Sequence, residues 1–122
     1  KTNKNLGVDK WQIAPALRGL LDDAQYWYKH QAYSPDELVL RFKHRLVSIH
    51  CFPNGNGRHS RLMADILIEK VYQMPVYTWG AAGMLQSNTA LVKQGDPRAQ
   101  YLAAMKAADK GDLHPLIEFA RS

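Results

Sequence analysis

Twelve residues, from His50 to Arg61, combine side chains and glycines that together suit phosphate binding and proton transfer. Gly55 and Gly57 lie in a loop that leads into a helix, where backbone N–H groups point outward beside the positive end of the helix dipole. Arg58 follows at once and Arg61 comes three residues later, which brings both guanidinium groups to one side of the first turns. This spacing predicts a site for an anion that carries more than one phosphate.

His50 ends the preceding helix and stands directly before this loop. Imidazole titrates near neutral pH, so it can take a proton from a hydroxyl whose oxygen attacks phosphorus, and we assign His50 as the general base. Phe52 is predicted to turn into the core and hold the loop. Taken one at a time, these residues also have interpretations without a function. His50 would be a packed histidine, Arg58 and Arg61 would be solvated charges on a helix face, and Asn56 would be a turn residue.

The pattern His50-x-Phe52-Pro53-x-Gly55-Asn56-Gly57-Arg58-x-x-Arg61 resembles the signature of the Fic (filamentation induced by cAMP) family, His-x-Phe-x-Asp/Glu-Gly-Asn-Gly-Arg-x-x-Arg. The stretches 2–8, 42–47 and 112–121 are similar to a bacterial branch known as mobile mystery protein B. The resemblance covers essentially the whole chain. It implies one Fic domain over residues 1–122, N-terminally incomplete, with a flap at about 2–8 and the signature loop at 50–61.

Fic membership implies a protein adenylyltransferase, which moves AMP from ATP to a Ser, Thr or Tyr hydroxyl of a target protein with Mg²⁺ or Mn²⁺ bound to the nucleotide. His50 would deprotonate the target hydroxyl, and Arg58 and Arg61 would bind the β- and γ-phosphates. The resemblance implies further nucleotide contacts by Asn54, Gly55, Asn56 (through its backbone and side-chain amides) and Gly57. It also implies that the flap aligns the target peptide by main-chain pairing. The flap residues are Asn3, Lys4, Asn5, Leu6, Gly7 and Val8.

Asn54 departs from the family signature, which has Asp or Glu at this position to hold Mg²⁺ against the phosphates. An amide oxygen lacks the negative charge that a hard cation favours, so Asn54 is expected to be a weak metal ligand that acts through the nucleotide. An alternative function therefore stays open. The chain would then be a degenerate Fic fold that binds a nucleotide or a protein partner without turnover.

Many Fic proteins are inhibited by a helix that carries Ser/Thr-x-x-x-Glu-Gly/Asn, and no window of this sequence matches that motif. Inhibition would then come from an upstream segment or from an antitoxin-like partner, or it would not occur.

The apolar spacing predicts an all-α fold, a helical bundle of at least five helices, that positions the signature loop. Helices are predicted over about 12–27, 34–50, 58–74, 96–110 and 112–119, and a short helix around 84–92 is left open. Ser34, Pro35 and Glu37 form the clearest helix start, a capping box with proline at the first helical position. The residues assigned to buried faces include Leu20, Leu21, Leu62, Ile66, Val71, Leu102 and Ala108.

The amino-acid composition excludes several classes of protein. The 122 residues are 46% hydrophobic and 22% charged, which fits one globular domain and excludes a disordered chain. Cys51 is the single cysteine, which excludes an internal disulfide and favours a reducing, cytoplasmic location. No apolar run reaches the roughly 20 residues of a membrane helix, so no membrane association is expected.

The net charge of +5 fits an anionic partner. Direct nucleic-acid binding would depend on that charge alone and is not expected. His44, His50 and His59 lack the i, i+4 spacing of a zinc-binding helix, so no histidine metal site is predicted.

Overall fold

The computed structural model describes residues 8–81 and 97–122, and every regular element in these ranges is helical. The predicted all-α fold is confirmed. The chain divides into two compact units, Lys1–Met74 and Pro75–Ser122. Most of the predicted flap and the helix left open at 84–92 lie outside the described residues. The assignment of one domain to the whole chain stays a prediction.

The first unit consists of helices that pack around the central helix α2. A short 3₁₀ helix leads into α1, and α3 continues into one turn of π-helix. α2 packs against both α1 and α3. The bounds are Lys10–Gln12 for the 3₁₀ helix, Ile13–Lys29 for α1, Pro35–Ile49 for α2, Asn56–Ile66 for α3 and Leu67–Val71 for the π-helix.

The start of α2 is fixed by the predicted capping box. The Glu37 backbone N–H donates to the Ser34 hydroxyl oxygen at 3.3 Å, and the Ser34 N–H donates to the Glu37 carboxylate at 3.2 Å. These two bonds satisfy amides that have no intrahelical acceptor. A core cluster of Leu20 from α1 with Phe42, Leu46 and Ile49 from α2 then holds the end of α2 near the signature loop.

Several apolar side chains assigned to the core are exposed, and those assignments were wrong. In α3 the buried positions are Asn56, Ser60 and Ala64, which follow one another at a spacing of four, and Ile68 of the π-helix continues the series. This face carries small residues, which let α3 lie close to its neighbour, and it turns the bulkier residues outward. The exposed side chains are Leu21 at 53%, Leu62 at 57%, Ile66 at 40% and Val71 at 43%.

The second unit contains α4 (Pro97–Asp109) and α5 (His114–Ala120), which pack against each other. Two residues after α4 ends, Gly111 has a φ of +97°, and Asp112 then accepts a hydrogen bond from the His114 N–H at 3.1 Å. The predicted burial of Ala108 is confirmed. Leu102 is 54% exposed, so its assignment to the core was wrong, because Ala104, half a turn along, faces inward.

None of the described helices is both long and apolar enough to cross a membrane.

The segment before residue 82 is hydrogen-bonded to the end of α5, because the N–H groups of Thr78 and Trp79 both donate to the Ala120 carbonyl at 2.9 Å. Gly80 follows, at a φ of +79°.

We expect Gly80→Ala to destabilise the protein by about 3 kcal/mol, because two penalties combine. The left-handed backbone disfavours a side chain, and a Cβ at this position would lie 2.6 Å from Cε1 of Phe119. Urea denaturation of the two proteins measures the loss. Gly111→Ala is the matched control: its φ is also positive but nothing lies within 4 Å of the added Cβ, so about 1 kcal/mol is expected. Equal losses would contradict the steric argument.

Candidate active site

The loop between α2 and α3 is bounded by two residues with left-handed backbone. His50 closes α2 at φ 57° and ψ 57°, and Gly55 precedes α3 at φ 78° and ψ 11°. Glycine adopts this conformation freely, whereas a non-glycine residue such as His50 pays about 1–2 kcal/mol for it. Such backbone strain clusters at functional sites. His50 is half-buried at this turn.

The Asn56 side chain forms two hydrogen bonds within the loop. Its side chain is 6% exposed, and its carbonyl oxygen accepts a hydrogen bond from the Phe52 N–H at 3.0 Å while its amide nitrogen donates to the Phe52 carbonyl at 2.8 Å. The Asn56 side chain therefore fixes the loop from within. Ser60, fully buried one turn on, donates its hydroxyl to the Gly57 carbonyl at 2.9 Å and fastens the first turn of α3.

Phe52 points away from the core, so the prediction that it turns inward was wrong. Its side chain is 44% exposed and its ring meets the His59 ring edge-on, with 4.8 Å between the centroids. The left-handed backbone at His50 changes the direction in which the following side chains point. As a result Cys51 takes the inward position and packs against the core cluster.

The two signature arginines fold back over the glycines of the loop. A Cβ built on Gly55 would lie 3.4 Å from a terminal nitrogen of Arg58, and one built on Gly57 would lie 3.6 Å from a terminal nitrogen of Arg61. Both cations therefore lie beside the start of α3, where the helix dipole is positive. Arg58 is exposed and Arg61 is half-buried.

The same turn presents backbone donors. The His59 N–H donates to the Gly55 carbonyl at 2.9 Å and is the first intrahelical bond of α3. The amides of Asn56, Gly57 and Arg58 precede it, and amides at these positions have no acceptor within a helix. Donors and guanidinium groups together form an arrangement suited to a chain of phosphates.

Asn54 lies exposed in the loop and offers one amide oxygen to a cation. Within 8–81 and 97–122, no three His, Cys, Asp or Glu side chains come together as a metal-binding group. An amide oxygen carries no charge and binds a hard cation more weakly than a carboxylate does, so Asn54 could supply one weak ligand. Of the predicted flap, Val8 is described and packs against the core cluster, while residues 3–7 lie outside the described ranges.

Lys43 is a charged residue near the site that the sequence analysis missed. Its side chain is 1% exposed on α2, seven residues before His50. Burial, and after it the positive charge of Arg61, together lower the pKa of Lys43 from 10.5 to about 7. A lysine between Val39 and Leu46, on an otherwise apolar helical line, was the signal available in the sequence.

We expect the free energy of unfolding to rise more steeply with pH in the wild type than in the Lys43→Met variant. The pKa of Lys43 is about 7 in the folded chain and 10.5 when unfolded, so between these values the unfolded chain binds more protons and a higher pH favours folding. The difference in unfolding free energy between the two proteins should change by about 2 kcal/mol from pH 7 to 9, measured by urea denaturation. Exposed Lys70 gives the control Lys70→Met, for which no such change is expected. Parallel curves for wild type and Lys43→Met would contradict this assignment.

Comparison with known families gives a match over the region that contains the site. Residues 9–68 match the model of the family described as Fic/DOC. This segment includes α1, α2, the loop and α3. None of the solved protein structures matches the chain.

Curated relatives carry names of the same kind. The chain is 34% identical over 76 residues to "Protein adenylyltransferase Fic" of Drosophila mojavensis, a match that covers 62% of this chain and 12% of the relative. It is 26% identical over 108 residues to "Protein adenylyltransferase fic-1" of Caenorhabditis briggsae, covering 88% of this chain and 17% of the relative. The chain thus spans less than a fifth of the length of these relatives.

Proposed function

The chain belongs to the Fic/DOC family, and on that premise we propose that it transfers AMP from ATP to a hydroxyl group of a target protein. One observation supports this proposal above the others: the loop that follows His50 brings two guanidinium groups over Gly55 and Gly57, beside the first amides of α3. Relatives named as protein adenylyltransferases support the same reaction class.

In the proposed reaction His50 accepts the proton of the target hydroxyl while its oxygen attacks the α-phosphorus of ATP. A new oxygen–phosphorus bond forms, the bond from the α-phosphorus to the bridging oxygen breaks, and pyrophosphate leaves. His50 ends α2 in a left-handed conformation, directly before the loop, and this position supports its proposed role. Positioning and charge neutralisation supply most of the rate enhancement in this type of reaction.

The phosphates are bound by Arg58, Arg61 and the amides of Asn56 and Gly57. Gly55 lets the chain enter α3 in its left-handed conformation, and the Asn56 side chain keeps the loop in shape. Mg²⁺ or Mn²⁺ bound to the nucleotide would neutralise phosphate charge, with the amide oxygen of Asn54 as a weak ligand.

The flap, residues 3–8, is proposed to align the target peptide by main-chain pairing. The proposed partners are this hydroxyl-bearing target and an inhibitor, which is either an upstream segment or an antitoxin-like protein. We also propose that the chain acts in a bacterial cytoplasm, in the mobile mystery protein B branch.

The test uses two labels of ATP. Incubating the protein with cell lysate and Mg²⁺ or Mn²⁺ should transfer label to protein from α-labelled ATP and not from γ-labelled ATP. Label from the γ-phosphate would indicate a kinase and overturn the proposal. If neither label is transferred although ATP binds in calorimetry, the chain is a binding module.

That second function, a nucleotide-binding Fic fold without turnover, is favoured by one observation, the exposed amide at Asn54. We expect Asn54→Asp to raise AMP transfer about tenfold and to increase its dependence on Mg²⁺, because a carboxylate binds the cation better than an amide. Initial rates over a magnesium titration measure both effects. Gln25→Glu makes the same change of charge at an exposed position of α1, beside Leu38 near the start of α2, and should change neither. An unchanged rate in Asn54→Asp would contradict this account of position 54.

A further inference from the structure

Three exposed apolar side chains of the first unit belong to one groove. Leu21 and Tyr28 on α1 and Val71 on the π-helix are 53%, 52% and 43% exposed, and all three line an apolar cleft of about 320 Å³. Leu38 and Phe42 of α2, both buried, also line this cleft. A contiguous exposed apolar patch of this kind marks a site of interaction with another molecule.

The packing of three helices explains why the cleft is open. α1 and the π-helix each pack against α2, whereas they do not pack closely against each other. Two helices that lie on a third with a gap between them form the kind of groove that a further helix fills in helical bundles. An amphipathic helix binds such a groove through apolar side chains at i, i+3, i+4 and i+7. The shape of the groove therefore favours a helix as its occupant.

At Tyr28 and Tyr72 the apolar cleft adjoins a polar space, here called the tyrosine chamber. These two residues line both spaces, and their rings meet edge-on with 5.7 Å between the centroids. Tyr33 and Lys29 line the chamber as well. Burial, and after it the neighbouring Tyr28, raise the pKa of Tyr72, so its hydroxyl keeps the proton and stays a hydrogen-bond donor at neutral pH.

The tyrosine chamber carries positive charge that no nearby carboxylate neutralises. Among the residues that the structure describes, no acidic side chain pairs with Lys29. Arg41 lies over the Tyr33 ring, with its Cζ 4.2 Å from the centroid, and its buried Nε has no hydrogen-bond partner within the described ranges. Two cations and phenol donors around one space suit a carboxylate, which only accepts hydrogen bonds. Charge complementarity therefore selects an acidic side chain for the chamber.

We propose that this groove binds an amphipathic helix of a partner protein, whose apolar side chains enter the cleft and whose glutamate or aspartate, one turn further along, enters the tyrosine chamber. Phe42 precedes His50 by eight residues, which is about 12 Å along α2, so a helix bound here leaves the signature loop accessible. The groove is thus a docking surface distinct from the phosphate site. The inference does not depend on the proposed AMP transfer.

The test is fluorescence anisotropy of a labelled helical peptide titrated with the whole chain. The peptide consists of alanine and glutamine, with leucine at i, i+3, i+4 and i+7 and one glutamate one turn beyond the last leucine. A second peptide has glutamine in place of that glutamate. We expect the wild type to bind the glutamate peptide about five-fold more tightly than the glutamine peptide, because the carboxylate gains the cations and donors of the chamber.

Two pairs of variants locate the binding surface. Leu21→Gln should weaken binding of the glutamate peptide about ten-fold, whereas Leu62→Gln, at a similarly exposed leucine of α3 outside the cleft, should not. Lys29→Gln should remove the difference between the two peptides, whereas Lys10→Gln, at an exposed lysine before α1, should keep it. All four side chains are exposed, so these changes should leave the fold intact.

Three results would overturn the inference. The first is a wild type that binds neither peptide, or binds both with equal affinity. The second is self-association of the chain in sedimentation that Leu21→Gln abolishes, which would assign the groove to a second copy. The third is binding of dodecanoate that requires Leu21 and Lys29 while the peptides do not bind, which would assign the groove to a small amphiphile. The AMP-transfer assay is independent of all three, so a failure of the proposed function is distinguishable from a failure of this inference.

Discussion

Replacement of His50 by alanine is expected to lower AMP transfer at least about 100-fold, because general-base catalysis by a positioned side chain contributes about 10²–10⁴ to a rate. Affinity for ATP should change by less than about two-fold. The phosphates are bound by α3 and its arginines, which follow His50 by several residues. Transfer of α-label and calorimetric ATP binding, measured on the same protein, check both statements.

The left-handed backbone at His50 calls for a second variant. Asparagine tolerates this conformation better than alanine, so His50→Asn removes the base with less disturbance of the turn. His114→Ala, at an exposed position of α5, is the control for loss of a histidine and should transfer AMP at the wild-type rate. Transfer that persists in both His50 variants would show that another group removes the proton.

Asn56→Ala is expected to lower AMP transfer about 100-fold and the unfolding free energy by about 2 kcal/mol. The change removes two hydrogen bonds and leaves the N–H and carbonyl of Phe52 without their partner. A loop that shifts by about 1 Å loses alignment of the reacting groups, which accounts for the effect on the rate. Initial rates and urea denaturation measure the two quantities.

Asn56→Asp separates the shape of the loop from its charge. A carboxylate still accepts from the Phe52 N–H but no longer donates to the Phe52 carbonyl, and it adds a negative charge beside the phosphates. We expect it to lose less stability than Asn56→Ala and to bind ATP more weakly. A variant Asn56→Ala with wild-type stability would contradict the assigned hydrogen bonds.

Local signals in the sequence predicted the helices well. Ser34, Pro35 and Glu37 specified the start of α2 because a capping box is formed by residues adjacent in the chain. The side chains at Leu62 and Ile66 were misplaced because helical periodicity alone does not select which face meets a neighbour. In α3 that choice depends on the small residues Ser60 and Ala64, which permit close packing with another helix.

For the site, the sequence predicted which residues the loop contains, and the structure shows how some of them are held. Arg58 and Arg61 lie over Gly55 and Gly57, which agrees with their spacing of three residues along a helix. The pairing of Asn56 with the Phe52 peptide, and the outward direction of Phe52, depend on the backbone turn at His50. A histidine at position 50 does not by itself specify a left-handed φ, so the backbone turn could be found only from the structure.

The uninterrupted course of α2 from its capping box to His50 limits how the length of this chain can vary. Inserting a single residue within Pro35–Ile49 would rotate everything after it by about 100°. The buried residues of α2 that follow the insertion, among them Phe42, Leu46 and Ile49, would then turn away from the core cluster that they form with Leu20. Residues 30–32, all exposed between α1 and α2, carry no such constraint. We therefore expect insertions and deletions to be tolerated better within residues 30–32 than within α2, which makes that short connection a suitable place to join a tag or a second domain.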